Sequence, residues 1–149
     1  MAVRVATADD FVACLLMGQR MAHESPRFSH SAFDTDRCLN LLHTLTNSDD
    51  GLVLVVGDEP IGMLLGLVSE QFFSADKVAQ ELVVYMLPEH RGGSDVVRMI
   101  HAYEAWAISR GAKEISLGVS TEVDTERTAA LYRRLGFHDS GVNLTKRCT

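Results

Sequence analysis

The chain has 149 residues, 46% apolar and 23% charged, with a formal net charge of −6. That is an ordinary globular composition, enough for one sizeable core and too short for a second full domain, so a single domain over residues 1–149 is expected. The acidic balance, with no basic cluster beyond Lys146-Arg147, argues against nucleic acid as a partner and mildly favours a cationic or neutral amine substrate.

The N-terminus lacks a basic region followed by an apolar stretch, and the longest apolar run, Ile61 to Val68, is far too short to span a bilayer. A cytoplasmic protein with no membrane partner is expected. Cys14, Cys38 and Cys148 are odd in number and widely spaced, which fits neither a disulfide framework nor a zinc site. The histidines show no metal-ligand spacing, so no metal is expected.

In chain order, Val3 and Val5 alternate in a short first strand, and Thr7 with Asp10 three residues later reads as a helix start. Phe11, Leu15, Gly18 and Ala22 recur at helical spacing until Pro26 ends the run. Asp34 or Thr35 caps a second helix carrying Leu39, Leu42 and Leu45. Residues 52–56 and 61–68, joined by Gly57-Asp58-Glu59-Pro60, read as a hairpin of strongly apolar strands.

After a loop bearing Phe72 and Phe73, Val78 to Leu87 forms the fourth strand and Ser94 to Arg110 a long amphipathic helix with Val96, Ile100, Tyr103 and Ala107 inward. Gly111 stops it. A fifth strand over Glu114 to Val119, a helix over Glu126 to Leu135, and a terminal strand or pair from Phe137 onward complete the reading.

Two segments carry chemistry. The fourth strand stops at Pro88 and re-emerges through Arg91-Gly92-Gly93 as a helix start, a turn whose unpaired N–H groups and helix dipole suit a phosphate. About 40 residues on, Thr128-Ala129-Ala130-Leu131-Tyr132-Arg133-Arg134-Leu135-Gly136-Phe137 is a short helix closed by glycine.

Together they resemble the GNAT superfamily of acyl-CoA N-acyltransferases. Its phosphate motif is Gln/Arg-x-x-Gly-x-Gly/Ala after a strand ending in x-Pro-x-x-Arg-Gly, and its C-terminal signature is Ala-x-x-x-Tyr-x-x-x-Gly-Phe. The chain departs from the pattern at the motif's small positions, here Ser94 and Val96. The resemblance implies an α+β fold in the order β-α-α-β-β-β-α-β-α-β, with a central mixed, mostly antiparallel sheet flanked by helices.

It further implies acetyl-CoA as acyl donor, a primary amine on a small molecule or peptide as acceptor, and a homodimer paired through residues 137–149. Val84, Tyr85 and Met86 would offer backbone to the pantetheine. Arg91, Gly92, Gly93, Ser94, Asp95 and Val96 would surround the pyrophosphate, with the Arg91 guanidinium as a charged donor. Thr125 falls where many members carry an asparagine near the cofactor.

Tyr132 takes the position of a tyrosine near the CoA sulfur, able to protonate the departing thiolate. Glu81, enclosed by Val83, Tyr85 and the cofactor, would be a base with a raised pKa. Gln80 takes that position if the register is one residue off, where it could only orient water. His23 and Glu24 would stand near the acceptor. No cysteine is positioned for a covalent acyl intermediate, so direct attack in a ternary complex is expected. The alternative, suggested by Ser94 and Val96, is a non-catalytic acyl-CoA-binding sensor or interaction module.

Overall fold

The computed structural model describes residues 1–148. In chain order the elements are β1 (Val3–Val5), α1 (Phe11–Glu24), α2 (Thr35–Thr46), β2 (Gly51–Val56), β3 (Gly62–Glu70), β4 (Lys77–Met86), α3 (Asp95–Ser109), β5 (Ala112–Ser116) and α4 (Thr125–Arg134). They form one α+β unit around an open sheet in the order β1-β2-β3-β4-β5. The first three pairings are antiparallel and β4–β5 is parallel, the crossover being made by α3.

Strands β2 and β3 are buried on both faces, which is why their sequences are apolar runs rather than alternations. Val53, Val55, Met63 and Leu65 meet Phe11, Met17 and Leu42 of α1 and α2 on one face. Leu52, Leu54, Leu64 and Val68 meet Met99, Tyr103 and Ala107 of α3 on the other. The helix starts follow local chemistry. The Thr7 N–H donates to the Asp10 carboxylate at 2.8 Å, and Arg4 donates two bonds to that carboxylate at 2.7 and 2.8 Å, tying β1 to the start of α1. The Arg4 bonds hold the Asp10 carboxyl below the usual range. Asp34 caps α2 by accepting from the Arg37 N–H at 3.0 Å.

One irregularity sets the geometry of β4. Leu65 faces Val83 and Gly66 faces Glu81, so Leu82 is an extra residue in β4, a bulge. The bulge shifts the phase of the strand. Ala79 packs on the α3 face before it, whereas after it Val84 and Met86 take that face and Val83 and Tyr85 turn to α1 and α2.

The expected terminal strand is not found. Residues 137–148 form no strand, and among the described residues β5 pairs with β4 alone. Val142 is 83% exposed and Leu144 91%, so the tail's isolated apolar side chains have no surface to cover in the single chain. Thr149, the last residue of the expected segment, lies outside the described residues. Strand β5 also stops at Ser116 rather than running on to Val119, because the chain leaves the sheet there.

Candidate active site

That departure opens the site. Strand β5 pairs with β4 only from Lys77 to Gln80, and beyond Gln80 the outer edge of β4 is unclaimed by β5. A cleft of about 400 Å³ occupies the gap, walled by β4, the turn into α3, the loop after β5 and α4.

Glu81 stands where the two strands part. Its Oε1 accepts the Gly118 N–H at 2.7 Å. A Cβ at position 118 would lie 3.2 Å from that oxygen, tighter than ordinary contact, so a glycine here lets the amide reach the carboxylate. Burial pushes the Glu81 carboxyl up to about 7, partly opposed by the Gly118 bond. The expected enclosure by Val83 and Tyr85 is not what raises it, since the bulge at Leu82 sends those two to the opposite face. The carboxylate faces Tyr103 and Tyr132 instead, and its charge contributes to raising both phenols.

Tyr132 is buried against the cleft, its ring 6.5 Å from that of Phe137. Desolvation first, then the Glu81 charge, lift its pKa above the ordinary phenol value. The hydroxyl therefore stays protonated at neutral pH. The loop after β5 is held over the cleft from the opposite side: the fully buried Ser25 hydroxyl donates to the Thr121 carbonyl at 2.6 Å and accepts the Phe28 N–H at 3.0 Å. Glu122 and Asp124 in this loop have φ of 62° and 48°, a left-handed conformation that costs non-glycine residues energy.

The turn into α3 is a cradle of amides. Gly92 has φ of 92°, accessible without strain only to glycine. The first intrahelical bond runs from the Arg98 N–H to the Ser94 carbonyl, leaving the amides of Asp95, Val96 and Val97 without an acceptor inside the helix. Gly92, Gly93, Asp95 and Val96 line the cleft, and the Ser94 side chain does not. Asp95 is held by Arg98 and by the N-terminal ammonium of Met1, 3.7 Å away.

Arg91 does not offer its guanidinium freely to this cradle. It donates to Glu24 at 2.7 and 3.0 Å and, through Nε, to the Met86 carbonyl at 2.9 Å. The Tyr85 hydroxyl donates to the same Glu24 carboxylate at 3.0 Å, and burial with that contact raises the phenol to about 12. The Arg91 bonds hold Glu24 below the usual carboxylate range.

Glu24 therefore reaches the cleft but is already engaged, while His23 is exposed and lines neither the cleft nor the cavity beside it. Thr125 is exposed and off the cleft, because the inward face of α4 runs through Arg127, Thr128, Leu131 and Tyr132. Sequence reasoning missed Arg127. Its Nη2 lies 3.8 Å from where a Gly92 Cβ would be, across the mouth of the cradle. The signal was available: Arg127 lies four residues before Leu131, as Thr128 does before Tyr132, so the two pairs share adjoining stripes of the helix.

Val84, Tyr85 and Met86 all line the cleft. Among the described residues no group of three or more His, Cys, Asp or Glu could hold a metal, and no helix is long and apolar enough to cross a membrane.

A model of the acetyltransferase (GNAT) family matches residues 16–137. The chain belongs to the GNAT acetyltransferase family. Solved structures agree on the fold of this GNAT chain. Aminoglycoside 6'-N-acetyltransferase AAC(6')-IG from Acinetobacter haemolyticus superposes with a TM-score of 0.71 at 20% identity, covering 100% of each chain. AAC(6')-Iy in complex with CoA gives 0.78 at 15% identity, over 98% of this chain and 93% of that one. Glucosamine-6-phosphate N-acetyltransferase from Arabidopsis thaliana gives 0.74 at 13% identity, over 99% and 98%. No curated protein matches the chain in sequence. Family membership makes this GNAT protein an acyltransferase.

Proposed function

We propose that the protein transfers an acetyl group from acetyl-CoA to a primary amine by direct attack in a ternary complex. One observation carries the reading: a carboxylate with its pKa near 7 and a protonated phenol line the same cleft at the point where β4 and β5 part.

The residues present fit acetyl-CoA. The open edge of β4 at Val84, Tyr85 and Met86 offers backbone to an extended pantetheine, and the amides from Gly92 to Val96 with the α3 dipole suit the pyrophosphate. Arg127 supplies the charge that Arg91 spends on Glu24. The donor brings a thioester, which the amine converts to an amide with release of the thiol. Glu81 takes the ammonium proton, directly or through water, and Tyr132 gives a proton to the departing sulfur. Glu24 holds Arg91 and Tyr85 in place rather than touching the amine. That aminoglycoside and glucosamine-6-phosphate acetyltransferases share the fold supports an amine acceptor.

The domain on this reading extends over residues 1–149. The family match begins at residue 16, but β1 and Arg4 complete the sheet and brace α1. A homodimer joined through the C-terminal segments, and a cytoplasmic location, belong to the same proposal. Thiol release from acetyl-CoA across a panel of primary amines tests it: CoA binding with no release on any amine would reject transfer in favour of a non-catalytic binding role.

A further inference from the structure

Beside the cleft lies a second cavity of about 280 Å³, between α1, α2 and the loop that joins them. Gly18, Ala22, Phe33, Cys38 and Leu42 are among its walls, and the Ser31 hydroxyl is the only side-chain oxygen on it. The two thiols present are not reactive groups: burial raises Cys14 to about 12 and also raises Cys38, so both act as apolar surface. A cavity of this size with no charge and almost no hydrogen-bonding partner repels polar groups and suits a hydrocarbon.

The cavity adjoins the cleft. Met21, Phe28 and Val83 line both. Val83 is two residues from Glu81, and the bulge at Leu82 turns its side chain toward α1 and α2. A molecule with its amine at Glu81 can thus send a chain past Val83 into the apolar space. The ammonium cannot lie in that space, where nothing would pair with it.

Resting on the acetyltransferase reading, the geometry points to an acceptor that is an amphipathic amine, whose nitrogen lies at Glu81 and whose aryl or alkyl tail fills the cavity walled by Gly18 and Phe33. Cys38 and Phe33 lie 3.7 Å from where a Gly18 Cβ would be, so Gly18→Leu extends a side chain into the cavity without clashing at its base. Gly18 does not line the cleft, and Ala22→Leu fills the same space from one turn further along α1.

The test compares propylamine with 3-phenylpropylamine, which share a head group and differ in the tail. We expect kcat/KM to be at least about tenfold higher for the phenyl compound, the scale on which an apolar pocket discriminates. Gly18→Leu should erase the advantage while leaving propylamine turnover and the KM for acetyl-CoA within about twofold. If Gly18→Leu does not melt cooperatively, Ala22→Leu is read instead. Equal use of both amines by the parent, or equal losses for both in the variant, overturns the inference.

So does a variant that loses transfer from octanoyl-CoA yet keeps the amine preference, since the cavity would then belong to the acyl chain. If no amine is acetylated, calorimetry of 3-phenylpropylamine on the CoA-bound protein decides. Binding that Gly18→Leu abolishes keeps the pocket and sinks the transfer reading, and absence of binding sinks the pocket.

Discussion

Arg91 and Glu24 form a two-bond fork at 2.7 and 3.0 Å across the mouth of the cleft, joining the turn before α3 to the end of α1. One helical turn earlier Arg20 reaches Glu89 at 3.2 Å, so two ion pairs staple α1 to this turn. The Arg91 guanidinium also lies 5.2 Å from the centre of the Tyr85 ring. The residue that a phosphate motif marks as a charged donor is here part of the scaffold that shapes the cradle.

This division of labour separates two arginines. Arg127→Ala should weaken acetyl-CoA binding by roughly 1.5–3 kcal/mol, the scale of a charge-assisted hydrogen bond. Desulfo-CoA should be affected equally. Glu24→Gln combined with Arg91→Ala, which removes the pair without stranding a charge, should change the affinity by less than about threefold. Calorimetry on folded variants checks both, and the opposite ranking would return the phosphate role to the Arg91 guanidinium.

Much of this architecture was legible in the sequence because its causes are local. Thr7 with Asp10, Asp34, and the apolar runs of β2 and β3 each announce an element through chemistry within a few residues. The commitment of Arg91 was not legible, because its partner lies 67 residues earlier and no local pattern joins them. The environment of Glu81 was half legible. Its raised pKa followed from expected burial beside Val83, Tyr85 and the cofactor, but the bulge at Leu82 in the β3–β4 pairing gave it different neighbours. The terminal strand was inferred from element order, and the sequence after Phe137 has too few apolar residues to hold one by itself.

Tyr132→Phe should leave acetyl-CoA affinity and the packing against Phe137 intact while lowering kcat by about 10- to 10³-fold, if the phenol protonates the departing sulfur. The raised pKa of Tyr132 means that no alkaline limb from its ionisation should appear below pH 10. Single-turnover rates under conditions where chemistry is limiting check this. An unchanged rate would leave the ring as a packing element.

Among the described residues the outer edge of β5 is open and Val142 and Leu144 are exposed, a surface that pairing of two chains would cover. Sedimentation should give a homodimer at micromolar concentration, and removal of residues 138–149 should give a folded monomer. A full-length monomer at high micromolar concentration would rule the dimer out.

Glu81 makes the sharpest pH prediction, because rate and stability must move in opposite senses. With its carboxyl raised to about 7, the base form fills as pH rises through neutrality, so kcat/KM of the parent should climb to a plateau above about pH 7. Glu81→Gln should lose that limb and follow the neutral fraction of the amine, with a deficit of about 10²-fold near pH 7.5 that shrinks at higher pH. Stability runs the other way. The folded state holds the Glu81 proton more tightly than the unfolded chain does, so the parent is most stable below the ordinary carboxylate pKa and loses stability as pH rises toward and through 7. Glutamine can still accept the Gly118 N–H but carries no charge to bury. Glu81→Gln should therefore match the parent near pH 4.5 and exceed it by about 2 kcal/mol at pH 8 in chemical denaturation. A pH-rate profile superimposable on the parent's would remove Glu81 as the base. With Glu24 already bound to Arg91, a chain of water to bulk solvent would be the remaining route for the proton.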